Sequence, residues 1–210
     1  MIGSRLLSKA RAYLARQRNS VGPIVDTQGL AEFIDSRSSL VAQTSLYGYI
    51  KTRAGTRFPD LFENDEFLES INIAKWHIWG ACVSDLTVFA GGLLYQEVAD
   101  ADRVRLALKR AIDPVLERTG HPDEAGKDFS ATRESIGVRL AGAVFTDAAQ
   151  TENAFTRSPA ALVYWAPIVD ELKVLDEAIV RNSIRFRWQA PRRELRKALQ
   201  AQQLLDSMID

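Results

Sequence analysis

The chain has 210 residues, 46% of them apolar and 26% charged, which is the balance of an ordinary globular domain. Its 27 bases and 27 acids cancel, which excludes a global electrostatic pull toward nucleic acid or anionic lipid. Cys82 is the one cysteine, which excludes an intramolecular disulfide and points to a reducing, cytoplasmic setting.

Residues 2–18 read as a basic amphipathic helix. Leu6, Leu7, Ala10, Tyr13 and Leu14 recur at helical spacing, with Arg5, Lys9, Arg11, Arg16 and Arg18 around them. Ser4, Arg5, Ser8 and Lys9 interrupt any apolar run of signal length, so no secretory leader is expected. The arm lacks Trp and Phe, so its apolar face alone holds a membrane weakly; docking on a protein is expected. Asn19 to Pro23 is a linker. Thr27 is the expected N-cap of a helix over about 28–54, with Gly55 as its stop and Leu30, Phe33, Ile34, Leu40, Val41, Tyr47 and Ile50 along its apolar stripe.

Thr56 to Glu63 is a loop around Pro59, with Phe58, Leu61 and Phe62 turned inward. Asn64 then caps a second long helix, about 65–96, with Asp65 and Glu66 in its first turn, where the helix dipole favours acids. This helix is apolar almost all the way round yet carries Lys75, His77 and Asp85, the pattern of a buried central rod. A membrane span over Trp76–Tyr95 would place Asp85 at its midpoint, at a cost of about 2.5–3.5 kcal/mol.

Asp100 caps a helix ending near Thr119 and Gly120, with Pro114 expected to kink it. Residues 121–128 form a polar loop. A helix over about 131–149 follows, with Ile136, Leu140, Val144 and Phe145 inward. Ser158-Pro159 marks another start, and Pro167 either bends that helix or begins a new one running to Arg187 or Trp188. Ala190-Pro191 opens a final helix to about Ser207. The expected fold is therefore all-α. A basic arm and linker, 1–23, precede a single helical domain, 24–210, built as a bundle or array around the two long helices.

Two histidines leave little metal chemistry. The residues three before His77 and His121 are Ala74 and Arg118, which excludes the paired Glu-x-x-His of di-iron bundles, and no zinc or calcium spacing is present. No metal and no cofactor is expected. Gly120 to Asp128 has five residues between its glycines where a phosphate loop has four, and Asp128 replaces the magnesium-binding hydroxyl. There is no Gly-x-Ser-x-Gly elbow and no Ser-x-x-Lys, so no catalytic residue is assigned. Cys82 and His77 lie about 140° apart around one helix and cannot pair within it. Asp85 should find a buried partner, with Arg139 the candidate. Lys75, His77, Tyr47, Tyr49 and Gln43 form a candidate ligand pocket where the two long helices cross.

The stretch Ser39-Leu-Val-Ala-Gln-Thr-Ser-Leu-Tyr-Gly-Tyr-Ile-Lys-Thr-Arg-Ala-Gly-Thr-Arg-Phe-Pro59, followed by Ile71-Asn-Ile-Ala-Lys-Trp-His77, resembles a group of poorly characterised bacterial helical proteins, some labelled esterase. The resemblance implies a bacterial, cytosol-facing origin and carries over no catalytic residue.

Charge is segregated. Residues 1–57 hold nine bases and three acids, while residues 58–100 hold one base and eight acids. Such separation suits docking of a complementary partner. Arg181, Arg185, Arg187, Arg192 and Arg193 form a second basic surface beside the arm. Trp188 and Phe186 there would be the stacking platforms of a nucleic-acid site, which overall neutrality disfavours. The expected function is a non-enzymatic interaction protein: a subunit, adaptor or assembly factor that binds other protein chains, with membrane proximity reached only through a partner. The alternative is a small-ligand-binding protein or hydrolase using the pocket near Lys75, His77 and Tyr47.

Overall fold

The computed structural model describes residues 21–150 and 152–208. The expected arm and its residues Arg5, Lys9, Arg11, Arg16 and Arg18 lie outside them. The fold is all-α. Among the described residues the helices are α1 (Thr27–Ala54), α2 (Asp65–Val98), α3 (Ala101–Thr119), α4 (Phe129–Ala141), α5 (Arg157–Trp165), α6 (Asp170–Arg187), α7 (Gln189–Ala198) and α8 (Ala201–Asp206). The one β-type pairing among these residues is a bridge between Ile24 and Leu199.

Capping chemistry sets the long helices. The Asp26 carboxylate accepts the Gly29 N–H at 2.7 Å, so Asp26, and not Thr27, is the N-cap of α1. Gly55, at φ 56, ends α1 in a conformation that favours glycine. Asn64 Oδ1 accepts the Phe67 N–H at 2.9 Å and opens α2, with Asp65 and Glu66 in the first turn. Asp100 Oδ1 accepts from the Asp102 and Arg103 N–H groups and opens α3. α3 runs on through Pro114 to Thr119.

The 34 residues of α2 span about 50 Å at 1.5 Å per residue. Helices α1, α3, α4 and α5 all pack against it. By length and composition α2 could cross a membrane, but 83% of its most apolar window is buried inside the fold. It is the central rod of the domain. Its glycines explain the closeness of its neighbours. A Cβ on Gly92 would lie 2.4 Å from the Ala149 nitrogen, and one on Gly91 2.4 Å from the Phe145 ring.

Three expected boundaries move, each for a local reason. The helix placed at 131–149 ends at Ala141 with Gly142 as its cap. The chain then crosses Gly91 and Gly92 in turns, so Phe145 is buried while Val144 faces solvent. The helix at Ser158-Pro159 begins at Arg157 and ends at Trp165, because Ala166 before Pro167 is extended; α6 starts afresh at Asp170. The final helix is cut at Leu199 and Gln200. There the Ile24 N–H donates to the Ala198 carbonyl at 2.8 Å and the Gln200 N–H donates to the Ile24 carbonyl at 2.9 Å. This clamp fastens the segment before α1 to the junction of α7 and α8.

Gly92→Ala should destabilise the protein by roughly 1–3 kcal/mol, because the clash is with backbone that no rotamer change relieves. Gly137→Ala on α4, with open space around its Cβ, should be neutral or stabilising by up to about 1 kcal/mol. Denaturant midpoints of the two variants check the contrast.

Candidate functional site

Asp85 is the most deeply buried acid of the fold's centre, at 0% exposure. Its carboxylate accepts four hydrogen bonds: from Arg139 Nη1 at 2.5 Å, the Arg157 N–H at 3.1 Å, the Ser158 N–H at 2.7 Å and Ser158 Oγ at 2.6 Å. The structure thus brings Asp85 and Arg139 together. It also makes Asp85 the cap of α5. The N-cap residue Thr156 offers no side-chain bond, and a carboxylate from α2 takes its place at the positive end of the helix. Ser158, part of the helix-start signal in the sequence, serves as a relay. Its hydroxyl donates to Asp85 and accepts from Trp188 Nε1 at 3.0 Å. Arg139 also donates to Ser84 Oγ and the Ala154 carbonyl. Burial pushes the Asp85 carboxyl above its ordinary value, and Arg139 and Ser158 pull against that push. Burial, with the Asp85 charge beside it, raises the Cys82 thiol well above its ordinary value, so it stays protonated and is no nucleophile.

The five expected pocket residues do not converge. His77 faces α4 and α5. Its ring stacks on Trp165 at 3.6 Å and 10°, and Nδ1 lies 2.6 Å from Thr132 Oγ1. It borders an open cleft of about 880 Å³, which Arg157, Tyr164, Asp170, Lys173 and Arg181 also line. Only 2% of His77 is exposed, so it is a wall of this cleft and not a group projecting into it. Lys75 faces the opposite way and donates to Glu124 at 2.6 Å, where the Trp76 indole also donates at 3.0 Å. Gln43 and Lys75 share a smaller hollow of about 250 Å³ with Trp76 and Trp79. Tyr47 stacks toward Phe62 at 6.4 Å, and Tyr49 is buried. Burial raises both phenols, with Glu124 adding to the effect at Tyr47. The pocket expected at the crossing of the two long helices is therefore two separate hollows on different sides of α2. The spacing from Lys75 to His77 explains this, since residues two apart on a helix do not face each other.

The second basic surface is also rearranged. Arg192 lies over the Phe89 and Phe155 rings, and Arg196 lies over Phe89 and donates to the Ala149 carbonyl. Trp188 is in the core at 1% exposure, packed on Phe155, so it is no stacking platform. Arg37 donates to Glu194 at 2.7 Å and Arg181 to Glu177 at 2.7 Å. The Arg187 guanidinium sits over Gly48. Arg185 donates to Asn182 on its own helix at 3.4 Å, and Arg193 is exposed. Among the described residues no group of three or more His, Cys, Asp or Glu side chains could hold a metal ion.

What the sequence reasoning missed is the outer face of α6. Val174, Leu175, Ile179 and Phe186 are 76%, 74%, 72% and 70% exposed. The opposite face of α6 is anchored. Val180 and Ile184 are in the core, and Asp176 is buried against Arg53. The signal was present as apolar residues on two faces of one helix, where a surface helix normally has one. Comparison of the chain with models of known protein families, with curated proteins and with solved structures finds no match in any of the three.

Two predictions follow from the α2 polar groups. Arg139→Met should leave the Asp85 carboxylate buried without its counter-charge and cost about 3–5 kcal/mol. At this chain length that lowers Tm by roughly 10 °C, which calorimetry would register. For His77, burial lowers the imidazole, with Asp128 and the Ala125 carbonyl opposing. A group whose folded value is depressed stabilises fully above its unfolded value, and that stability is lost as pH falls through the folded value. Unfolding free energy should therefore decline as pH drops below about 6.5, within the window where imidazole alone normally titrates. Denaturant titrations between about pH 5 and pH 8 should show that slope in the wild type and a flatter profile in His77→Phe.

Proposed function

We propose that this chain is a non-enzymatic interaction protein, a subunit or adaptor that works by presenting the outer face of α6 to another protein chain. The apolar stripe on α6 carries the reading. Four large side chains at 70% exposure or more leave on the order of several hundred Å² of apolar surface open. Contiguous apolar patches of several hundred Å² on a soluble domain mark binding sites. Valine, leucine, isoleucine and phenylalanine gain nothing from facing water on a helix whose inner face is already anchored.

The polar groups of α2 add indirect support. Lys75 is engaged by Glu124, Asp85 by Arg139 and Ser158, and His77 by Thr132 and Trp165. Each is used in holding α2 to a neighbouring segment. A cytoplasmic complex of bacterial origin fits this reading, with partners that are protein chains.

Native mass spectrometry of the chain isolated from its source cell at low salt tests the proposal. The wild type should appear in an assembly heavier than its own 23.4 kDa. Ile179→Asp should leave the melting transition within about 0.5 kcal/mol of wild type, since the side chain is exposed, yet move the chain out of that assembly. A wild type that comes out of its source cell alone, as a monomer, would sink the proposal, as would an assembly indifferent to Ile179→Asp.

A further inference from the structure

We infer that the occupant of the α6 face is a second copy of this chain, docked antiparallel about a two-fold axis near Ala178. This rests on reading α6 as an interaction face and adds the identity of the partner. Leu175, Ile179, Asn182 and Phe186 follow one another at three- and four-residue spacing, Ala178 lies on the same face three residues after Leu175, and all five are exposed. Glu171 sits at the N-terminal end of the same stripe, four residues before Leu175. Arg185 sits at its C-terminal end, beside Phe186. Glu171 is exposed and makes no hydrogen bond or ion pair among the described residues. Arg185 has only a 3.4 Å contact to Asn182, one turn away on its own helix.

The two charges are placed symmetrically. Ala178 lies seven residues after Glu171 and seven before Arg185. An antiparallel pair centred on Ala178 therefore sets Glu171 against the partner's Arg185, and Arg185 against the partner's Glu171. The small Ala178 side chains meet at the axis and let the helices close. Leu175, Ile179 and Phe186 then fill the seam on either side. A two-fold interface must be self-complementary, and a stripe with an acid at one end, a base at the other and apolar residues between meets that requirement. A parallel pair would instead set Glu171 against Glu171 and Arg185 against Arg185.

Area sets the expected strength. Two such stripes bury on the order of 1,000 Å² together, near the lower bound of specific interfaces. The dimer should be reversible, with dissociation in the micromolar range, and weakened by salt.

Sedimentation velocity of the full chain from about 1 to 100 μM, a range bracketing that affinity, provides the test. The wild type should move from 23.4 kDa toward twice that mass with rising concentration. Ile179→Glu should abolish dimerisation, a loss of more than about 100-fold, because each dimer buries two such carboxylates. Glu171→Arg and Arg185→Glu should each weaken dimerisation by about tenfold, and the double exchange should restore it to within about threefold of wild type. Circular dichroism checks that each variant stays folded.

Failure of the double exchange to restore a dimer lost in the single variants overturns the antiparallel arrangement. A Glu171→Gln variant that tightens the dimer does the same and points to a parallel pair, in which Glu171 faces Glu171. A wild type that stays monomeric at 100 μM overturns self-association. The broader reading then stands only if the assembly in cell extract depends on Ile179. If deletion of residues 1–19 turns that monomer into a dimer, the stripe's occupant is the chain's own N-terminal segment, which also overturns the inference.

Discussion

The Asp85 carboxylate is the interaction on which the rest of the structure depends. A buried carboxylate is costly unless its lone pairs are all taken up, and here each oxygen accepts two hydrogen bonds. The donors come from two different helices, α4 through Arg139 and the N-terminus of α5 through Arg157 and Ser158. Packing of apolar side chains tolerates small slides of one helix along another. A bonded carboxylate does not, because a shift of about 1 Å breaks its hydrogen bonds. Asp85 therefore fixes the register of α4 and α5 against α2, and Ser158 extends that fix to Trp188 at the junction of α6 and α7.

Much of this frame was legible because it rests on short-range chemistry. Asn64, Asp100 and Gly55 mark helix ends through local hydrogen bonds and backbone preference, and all three act as the sequence suggests. The apolarity of α2 on every side announced a central rod. Arg139 as the partner of Asp85 followed from a shortage of alternatives: a buried acid needs a donor, and few bases lie on apolar helices. The boundaries that moved depend on contacts distant in sequence. Leu199 leaves the helix because Ile24 pairs with it, and α4 ends early because residues 143–149 must cross Gly91 and Gly92. No pattern within a window of ten residues contains that information.

The candidate site was harder to read than the fold. Grouping Gln43, Tyr47, Tyr49, Lys75 and His77 treated polar residues near one crossing as facing one another. Yet Lys75 and His77 are two apart on a helix and point to different neighbours. Glu124, which engages Lys75 and the Trp76 indole, lies in a polar loop that gave no sign of facing α2. The basic cluster at 181–197 misled in a related way. Arginine is both a surface charge and a flat group that covers aromatic rings. Arg192 and Arg196 act in the second way, over Phe89 and Phe155, so part of that basic run closes the core.

The interior network and the surface stripe are mechanically connected. Trp188 follows α6 by one residue, and its indole is held by the same serine hydroxyl that binds Asp85. Nearer its N-terminal half, Arg53 from α1 holds the buried Asp176. Between these two polar anchors, Val180 and Ile184 press the inner face of α6 into the core. The helix is thus held at Asp176, just past its C-terminus and along one side, while Leu175, Ile179 and Phe186 look outward from that held backbone. An apolar side chain on a mobile segment can fold back on its own domain and escape water. One on a helix fixed in this way escapes water only when something else covers it. The outward stripe therefore follows from the buried chemistry: the bonds that orient α6 also leave its apolar edge for another molecule to cover.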